Sequence, residues 1–253
     1  MTPLRAFHGN PAIKATYLAR VRAHREADEL IHGTYWEDGK GCAVGCTIHG
    51  SDHSDYERKL GVPTILAYLE DRLFESLPAE AAQQWPAAFL EAIPVGADLS
   101  LVWPKFAVWL LTDPQDGVVR FAWGKGRHAI TWVSELYQRM CAGQSVSLDE
   151  WTAARAAVYD AYASGNAAWA AAGGGGVATY AARKAAIEAT RTARATGEAT
   201  AGTDEEAAWA ATGATRTAAY ASLGASGNAG VDAARAAATK RQAEKLLELL
   251  RTA

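Results

Sequence analysis

Alanine dominates the second half of this chain: 38 of residues 151–253 are Ala. Alanine is the best intrinsic helix former, whereas strands draw on β-branched and aromatic residues. This half is therefore expected to be helical. Small side chains let helix backbones approach closely, and Trp and Tyr fill the volume that remains. Trp151 and Tyr162, Trp169 and Tyr180, and Trp209 and Tyr220 are each 11 residues apart, about three helical turns, so each pair shares a face. Asn166–Ala182 and Glu206–Ser222 align at an offset of 40, which suggests a duplicated helix or a two-helix repeat. Ser147-Leu-Asp-Glu150 has the form of a capping box and marks where the alanine-rich half begins. The last helix is expected over Val231–Leu250.

The first half also reads as helical, because no segment alternates apolar and polar residues long enough for a strand. One helix is expected from Pro11 to Ile31, with the stripe Ile13, Tyr17, Val21, His24, Asp28 and Ile31 and a stop at Gly33. A second follows Pro63, with Ile65, Leu66, Leu69, Leu73 and Leu77 inward. Further helices are expected over Ala79–Ala92, Asp98–Thr112 (with Pro104 as a kink or first-turn residue) and Ile130–Cys141. The pattern predicts an all-α protein. A helical domain over residues 1–146, carrying a Cys/His-rich loop, packs on an alanine-rich helical bundle over 147–253.

The chemistry concentrates near the start. His8, His24, His32, Cys42, Cys46, His49 and His53 precede 200 residues that add only His128 and Cys141. Histidine and cysteine supply most nucleophiles, general bases and soft metal ligands at neutral pH. His24 and Asp28 are one helical turn apart, and a carboxylate beside an imidazole fixes its tautomer. A buried, satisfied pair of the same residues accounts for the spacing equally well.

Gly39-Lys-Gly-Cys-Ala-Val-Gly-Cys-Thr-Ile-His-Gly-Ser-Asp-His53 is the sharpest local pattern. A helix starting at Cys42 places its thiol among free N–H groups that favour the thiolate, with Lys40 nearby. That is the setting of a nucleophile, with His49, His53 or His24 as base, Asp28 as orienter and Cys46 as substitute. A small, buried, inert Cys42 is the plain structural alternative. Cys42, Cys46, His49 and His53 also carry zinc-type ligand chemistry. One continuous helix separates the ends of that set by roughly 16 Å, so a zinc or iron site needs a chain break at Gly50–Asp52, or His8, His24 or Asp28 in place of some members. Tyr35 is a candidate substrate contact with Lys40 and Cys46, and Trp36 is assigned to the core. Glu70 and Asp71 are expected to be solvated, and Gly-Lys-Gly at 124–126 to be a loop.

The stretch Gly33 to Thr47, with His53, Tyr56-Glu57, Leu60-Gly-Val-Pro63 and Leu69-Glu-Asp71, resembles a family of uncharacterised bacterial and phage-borne proteins whose second halves are similarly alanine-rich. The resemblance brings no activity, cofactor or mechanism.

Charge narrows the classes further. Residues 1–150 carry 14 basic and 19 acidic side chains, and residues 151–253 carry 11 and 9. Neither half has the basic excess of a nucleic-acid footprint. The longest charge-free stretch, Ala161–Ala182, contains four consecutive glycines, so no membrane span is expected. The N-terminus has no signal-peptide-like apolar run, and three cysteines are an odd count. Both point to a cytoplasmic protein with reduced thiols. The leading expectation is a hydrolase or group-transfer enzyme with a Cys/His/Asp centre. Its alternatives are a metal-binding protein using the same residues and a helical interaction or ligand-sequestering protein.

Overall fold

A computed structural model describes residues 4–171, 213–214 and 231–253. The described chain is all-α, with one two-stranded hairpin: α1 (Pro11–Glu26), β1 (Trp36–Glu37), β2 (Lys40–Gly41), α2 (Ala43–Ile48), α3 (Thr64–Phe74), α4 (Ala79–Ala92), α5 (Val102–Thr112), α6 (Gly124–Cys141), α7 (Leu148–Ala171) and α8 (Val231–Arg251). Short 3-10 turns lie at Ala6–Gly9 and Val118–Phe121, and a π-helical turn at Tyr56–Leu60. No helix among the described residues is long and apolar enough to cross a membrane. The repeat aligned between 166–182 and 206–222 lies largely outside the described residues, and so does most of the expected bundle.

The chain forms two compact units, Met1–Trp103 with Ala243–Ala253, and Pro104–Gln242. The compositional change at Ser147 falls inside the second unit, because α6 and α7 pack on each other across it. Tyr137 meets the edge of Trp151 with ring centroids 5.0 Å apart, and Arg139 pairs with Glu150. The capping box forms: the Glu150 N–H donates to Ser147 Oγ (3.2 Å), and the Ser147 N–H donates back to Glu150 Oε2 (2.8 Å). Gly124-Lys-Gly126 opens α6 rather than forming a loop. Pro104 sits in the first turn of α5, where its missing N–H costs nothing.

In the first unit α1 stops at Glu26, five residues short of the expected end. Asp28 takes a left-handed conformation (φ 57°), the Glu29 N–H donates to the His24 carbonyl (2.9 Å) and the Asp28 N–H to the Arg25 carbonyl (3.2 Å). This is a Schellman ending with Asp where Gly is usual. Beyond it, residues 29–31 run beside Gly41, with the Ile31 N–H donating to the Gly41 carbonyl and the Gly41 N–H to the Glu29 carbonyl. The hairpin turns at Asp38 and Gly39, both at positive φ (49° and 83°), as a two-residue Asp-Gly loop requires.

Two glycines then seat α2. A Cβ on Gly41 lies 2.1 Å from the Tyr35 carbonyl oxygen, and one on Gly45 lies 1.5 Å from the same atom. Only glycine lets the 34–36 segment lie against the start of α2, where the Cys42 N–H donates to the Thr34 carbonyl (2.7 Å). Helix α3 packs against both α2 and α4. It therefore buries more than one stripe: Leu66, Leu69, Leu73 and Phe74 are in the core, and so is Glu70. Burying each Leu or Phe contributes about 1.5–3 kcal/mol.

Candidate functional site

The dock of residues 34–36 on α2 sends consecutive side chains into two clusters. Trp36 enters the first. His49, the left-handed C-cap of α2, stacks on its indole (centroids 4.7 Å, 15°), and His24 meets it edge-on (5.5 Å). His24 Nδ1–H donates to Glu29 Oε2 at 2.6 Å, and His24 Nε2 lies 2.8 Å from His49 Nε2. With one ring proton committed to Glu29, the other His24 nitrogen accepts from His49 Nε2–H. Burial, and then the positive charge of Arg20, lowers the pKa of His49 and favours its neutral form, with Glu29 opposing. Glu29, His24 and His49 thus form a hydrogen-bonded line able to hold or pass a proton.

Asp28, expected to orient His24, does not do so. It is exposed at the helix end, and the Schellman turn delivers the next residue instead. The contact between the third-last helical residue and the second residue past the cap is usually apolar. Here it is the His24–Glu29 hydrogen bond.

Tyr35 enters the second cluster. With Gly33, Thr34, Asp71 and Glu75 it lines a cavity of about 190 Å³. Asp71 on α3 and Glu75, the C-cap of that helix, are one turn apart, and both line the same space. The Gly33 N–H donates to both Glu75 oxygens (3.0 Å each). Behind Asp71 lies His53, 4% exposed, stacked on Tyr68 (4.0 Å, 19°) and met edge-on by Tyr35 (5.4 Å). Its Nδ1–H donates to the Ser51 carbonyl (3.2 Å), and its Nε2 lies 3.6 Å from Asp71 Oδ2. His53 Nε2 and Asp71 Oδ1 are buried without a hydrogen-bond partner.

Cys42 is the N-cap of α2, and its sulfur accepts from the Gly45 N–H at 3.5 Å. That placement matches the sequence expectation, but its consequence for the thiol is the reverse. Burial, then the charge of Asp71 and a hydrogen bond to it, push the Cys42 thiol far up, outweighing the Gly45 and Val44 N–H groups. At 1% exposure it is held as S–H and is not a ready nucleophile. Cys46, fully buried, donates to the Gly41 carbonyl (3.4 Å), and burial pushes its thiol up to about 12. Cys46 is not among the residues that line the Tyr35–Asp71–Glu75 cavity.

Burial raises the Glu75 carboxyl, and Asp71 adds to the shift while the Gly33 N–H, His32 and Arg72 offset part of it. Burial also raises the Tyr35 hydroxyl, aided by Asp71, Cys42 and Glu75. The ionisable side chains that line the cavity beside Tyr35, Asp71 and Glu75, are both acidic.

The remaining candidates scatter. His8 bonds the Arg58 carbonyl through Nε2 (3.1 Å), His32 packs edge-on against Phe74 (4.8 Å), and Lys40 is exposed on β2 away from the cavity lining. Among the described residues no three His, Cys, Asp or Glu side chains are arranged to hold a metal ion. The zinc or iron set of Cys42, Cys46, His49, His53 and His8 does not assemble, because α2 directs the thiols into the core and holds His49 at its far end against Trp36.

Sequence reasoning passed over Glu29 and Glu75, read Asp71 as solvated and assigned Trp36 to the core. The i, i+4 spacing of Asp71 and Glu75 was the available signal, but it marks a solvated face as readily. No family model matches the chain, and neither a curated protein nor a solved structure matches it.

Proposed function

We propose that the first unit is a hydrolase or group-transfer enzyme whose working groups are the Asp71 and Glu75 carboxylates, not a Cys42 thiolate. The observation behind this reading is the pairing of two carboxylates on one cavity in different surroundings. Asp71 has a buried oxygen without a partner, and burial shifts Glu75 toward its protonated form. A carboxyl raised toward its protonated form can supply the acid where a second carboxylate on the same cavity supplies the base. Asp71 takes a proton from the attacking water, whose oxygen bonds to the substrate's electrophilic centre. Glu75 gives its proton to the departing group. In group transfer, an acceptor hydroxyl replaces the water. His53 and Cys42 flank Asp71 and position it, and Tyr35 covers the substrate.

The test is turnover of p-nitrophenyl esters, phosphates and glycosides and of p-nitroanilides by wild type, Asp71→Asn and Cys42→Ala. Loss of a general base costs about 10²–10⁴-fold, so Asp71→Asn is expected to fall by at least about 100-fold while Cys42→Ala stays within about tenfold. Turnover that survives Asp71→Asn, turnover abolished by Cys42→Ala, or no turnover in any class overturns the proposal.

A further inference from the structure

We infer that the cavity between Tyr35, Asp71 and Glu75 accepts the head group of a small organic cation, an alkylammonium or a guanidinium. The inference rests on the enzymatic reading of the same cavity and names its substrate class. At about 190 Å³ the cavity is smaller than the roughly 300–1,000 Å³ of drug-sized sites, so it fits a head group rather than a whole large ligand.

Geometry supplies the first argument. Asp71 Oδ1 is a buried acceptor with no hydrogen-bond donor, and a buried acceptor left unpaired is destabilising. His53 stands behind Asp71: its Nδ1–H donates to the Ser51 carbonyl, and its buried Nε2 has no hydrogen-bond partner and lies 3.6 Å from Asp71 Oδ2. An orphaned buried carboxylate oxygen is satisfied by a ligand that brings donors. Ammonium and guanidinium carry only donors.

The aromatic wall supplies the second. Tyr35 is 42% exposed and lines the cavity, so its ring is available to cover a cation. The field supplies the third. Asp71 acts on Tyr35, Cys42 and Glu75 alike, disfavouring further negative charge in each. The positive groups acting on Glu75 are His32 and Arg72, and neither lines the cavity. An anionic ligand meets repulsion here, and a neutral one leaves the field uncompensated.

The experiment titrates the full chain with butylammonium and ethylguanidinium, and with N-butylurea, glucose and acetate as neutral and anionic comparisons. Calorimetry reads the affinity, and amide chemical shifts of Gly33, Thr34 and Tyr35 read the location. The cations are expected to bind at least about tenfold more tightly than the others, shift those amides, and lose about tenfold or more in Asp71→Asn and Glu75→Gln. Circular dichroism establishes that both variants keep their helical content. Preference for urea, glucose or acetate, or cation binding unchanged in Asp71→Asn, overturns the inference. A variant that loses helical content is replaced by Tyr35→Leu, for which weaker cation binding is expected and unchanged binding counts against the inference. Cation binding without turnover of any chromogenic substrate leaves this inference standing while defeating the enzymatic reading, so the two failures are distinct.

Discussion

Gly45→Ala is expected to be among the most damaging single-methyl changes in the first unit. The added Cβ falls 1.5 Å from the Tyr35 carbonyl oxygen and 2.7 Å from its carbon, where contacts under 3.0 Å are not sustained. Helix α2 and the 34–36 segment must separate by about 1.5 Å or more, and the obstacle is backbone, which cannot rotate away. Overpacking alone costs about 1–3 kcal/mol. The shift also strains the Cys42 N–H bond to the Thr34 carbonyl, at about 0.5–1.5 kcal/mol for a hydrogen bond. The expected loss is on the order of 3 kcal/mol, a large part of a domain's typical 5–15 kcal/mol. Gly50→Ala is the matched control: its Cβ meets nothing within 4 Å and its φ is not positive. That change should fall within about 0.5 kcal/mol of wild type or stabilise slightly. Urea unfolding followed by far-UV circular dichroism compares the two. A Gly45→Ala loss below about 1 kcal/mol, or equal losses at both positions, would refute the close-approach argument.

Iodoacetamide should label Cys141 well before Cys42 or Cys46 at neutral pH, since Cys141 is partly exposed while burial and Asp71 keep the Cys42 thiol protonated; prompt labelling of Cys42 in the folded protein contradicts this. Asp28→Gly should stabilise the protein by about 0.5–1 kcal/mol, because glycine accepts the left-handed conformation without penalty; destabilisation in thermal melts would mean that the Asp28 side chain does more than end α1. Stability should decline as pH rises above the ordinary carboxylate range. Burial raises Glu70, hydrogen-bonded by Tyr56 (2.6 Å), far above its usual 4.5, so its contribution is full below that pH and is lost toward the folded value, at up to about 1.4 kcal/mol per pH unit. Burial makes Glu75 act in the same direction. Glu70→Gln should flatten the profile, and an unchanged slope between mildly acidic and neutral pH would remove Glu70 from the account.

The sequence by itself determined the helical class, because alanine content and the 3.6-residue spacing of Leu66, Leu69 and Leu73 are local properties. It also placed the capping box at Ser147 and Cys42 at a helix start, since both depend on a few neighbouring residues. It drew attention to the region where His24, His49, His53 and Tyr35 lie in the two clusters.

Partners and proton states belonged to the tertiary structure. A left-handed turn at Asp28 gave His24 the carboxylate of Glu29, and no periodicity carries that exchange. Packing of α3 against both α2 and α4 buried Glu70, and the fold set Asp71 and Glu75 on a cavity wall, where the sequence suggested solvent for Glu70 and Asp71. The helix-start argument for a Cys42 thiolate was correct as local electrostatics. It failed because a hydrogen bond and partial dipole from one short helix are smaller than the cost of ionising a buried thiol beside a carboxylate. Burial is a property of everything that packs around an atom, and a linear pattern records only its neighbours along the chain.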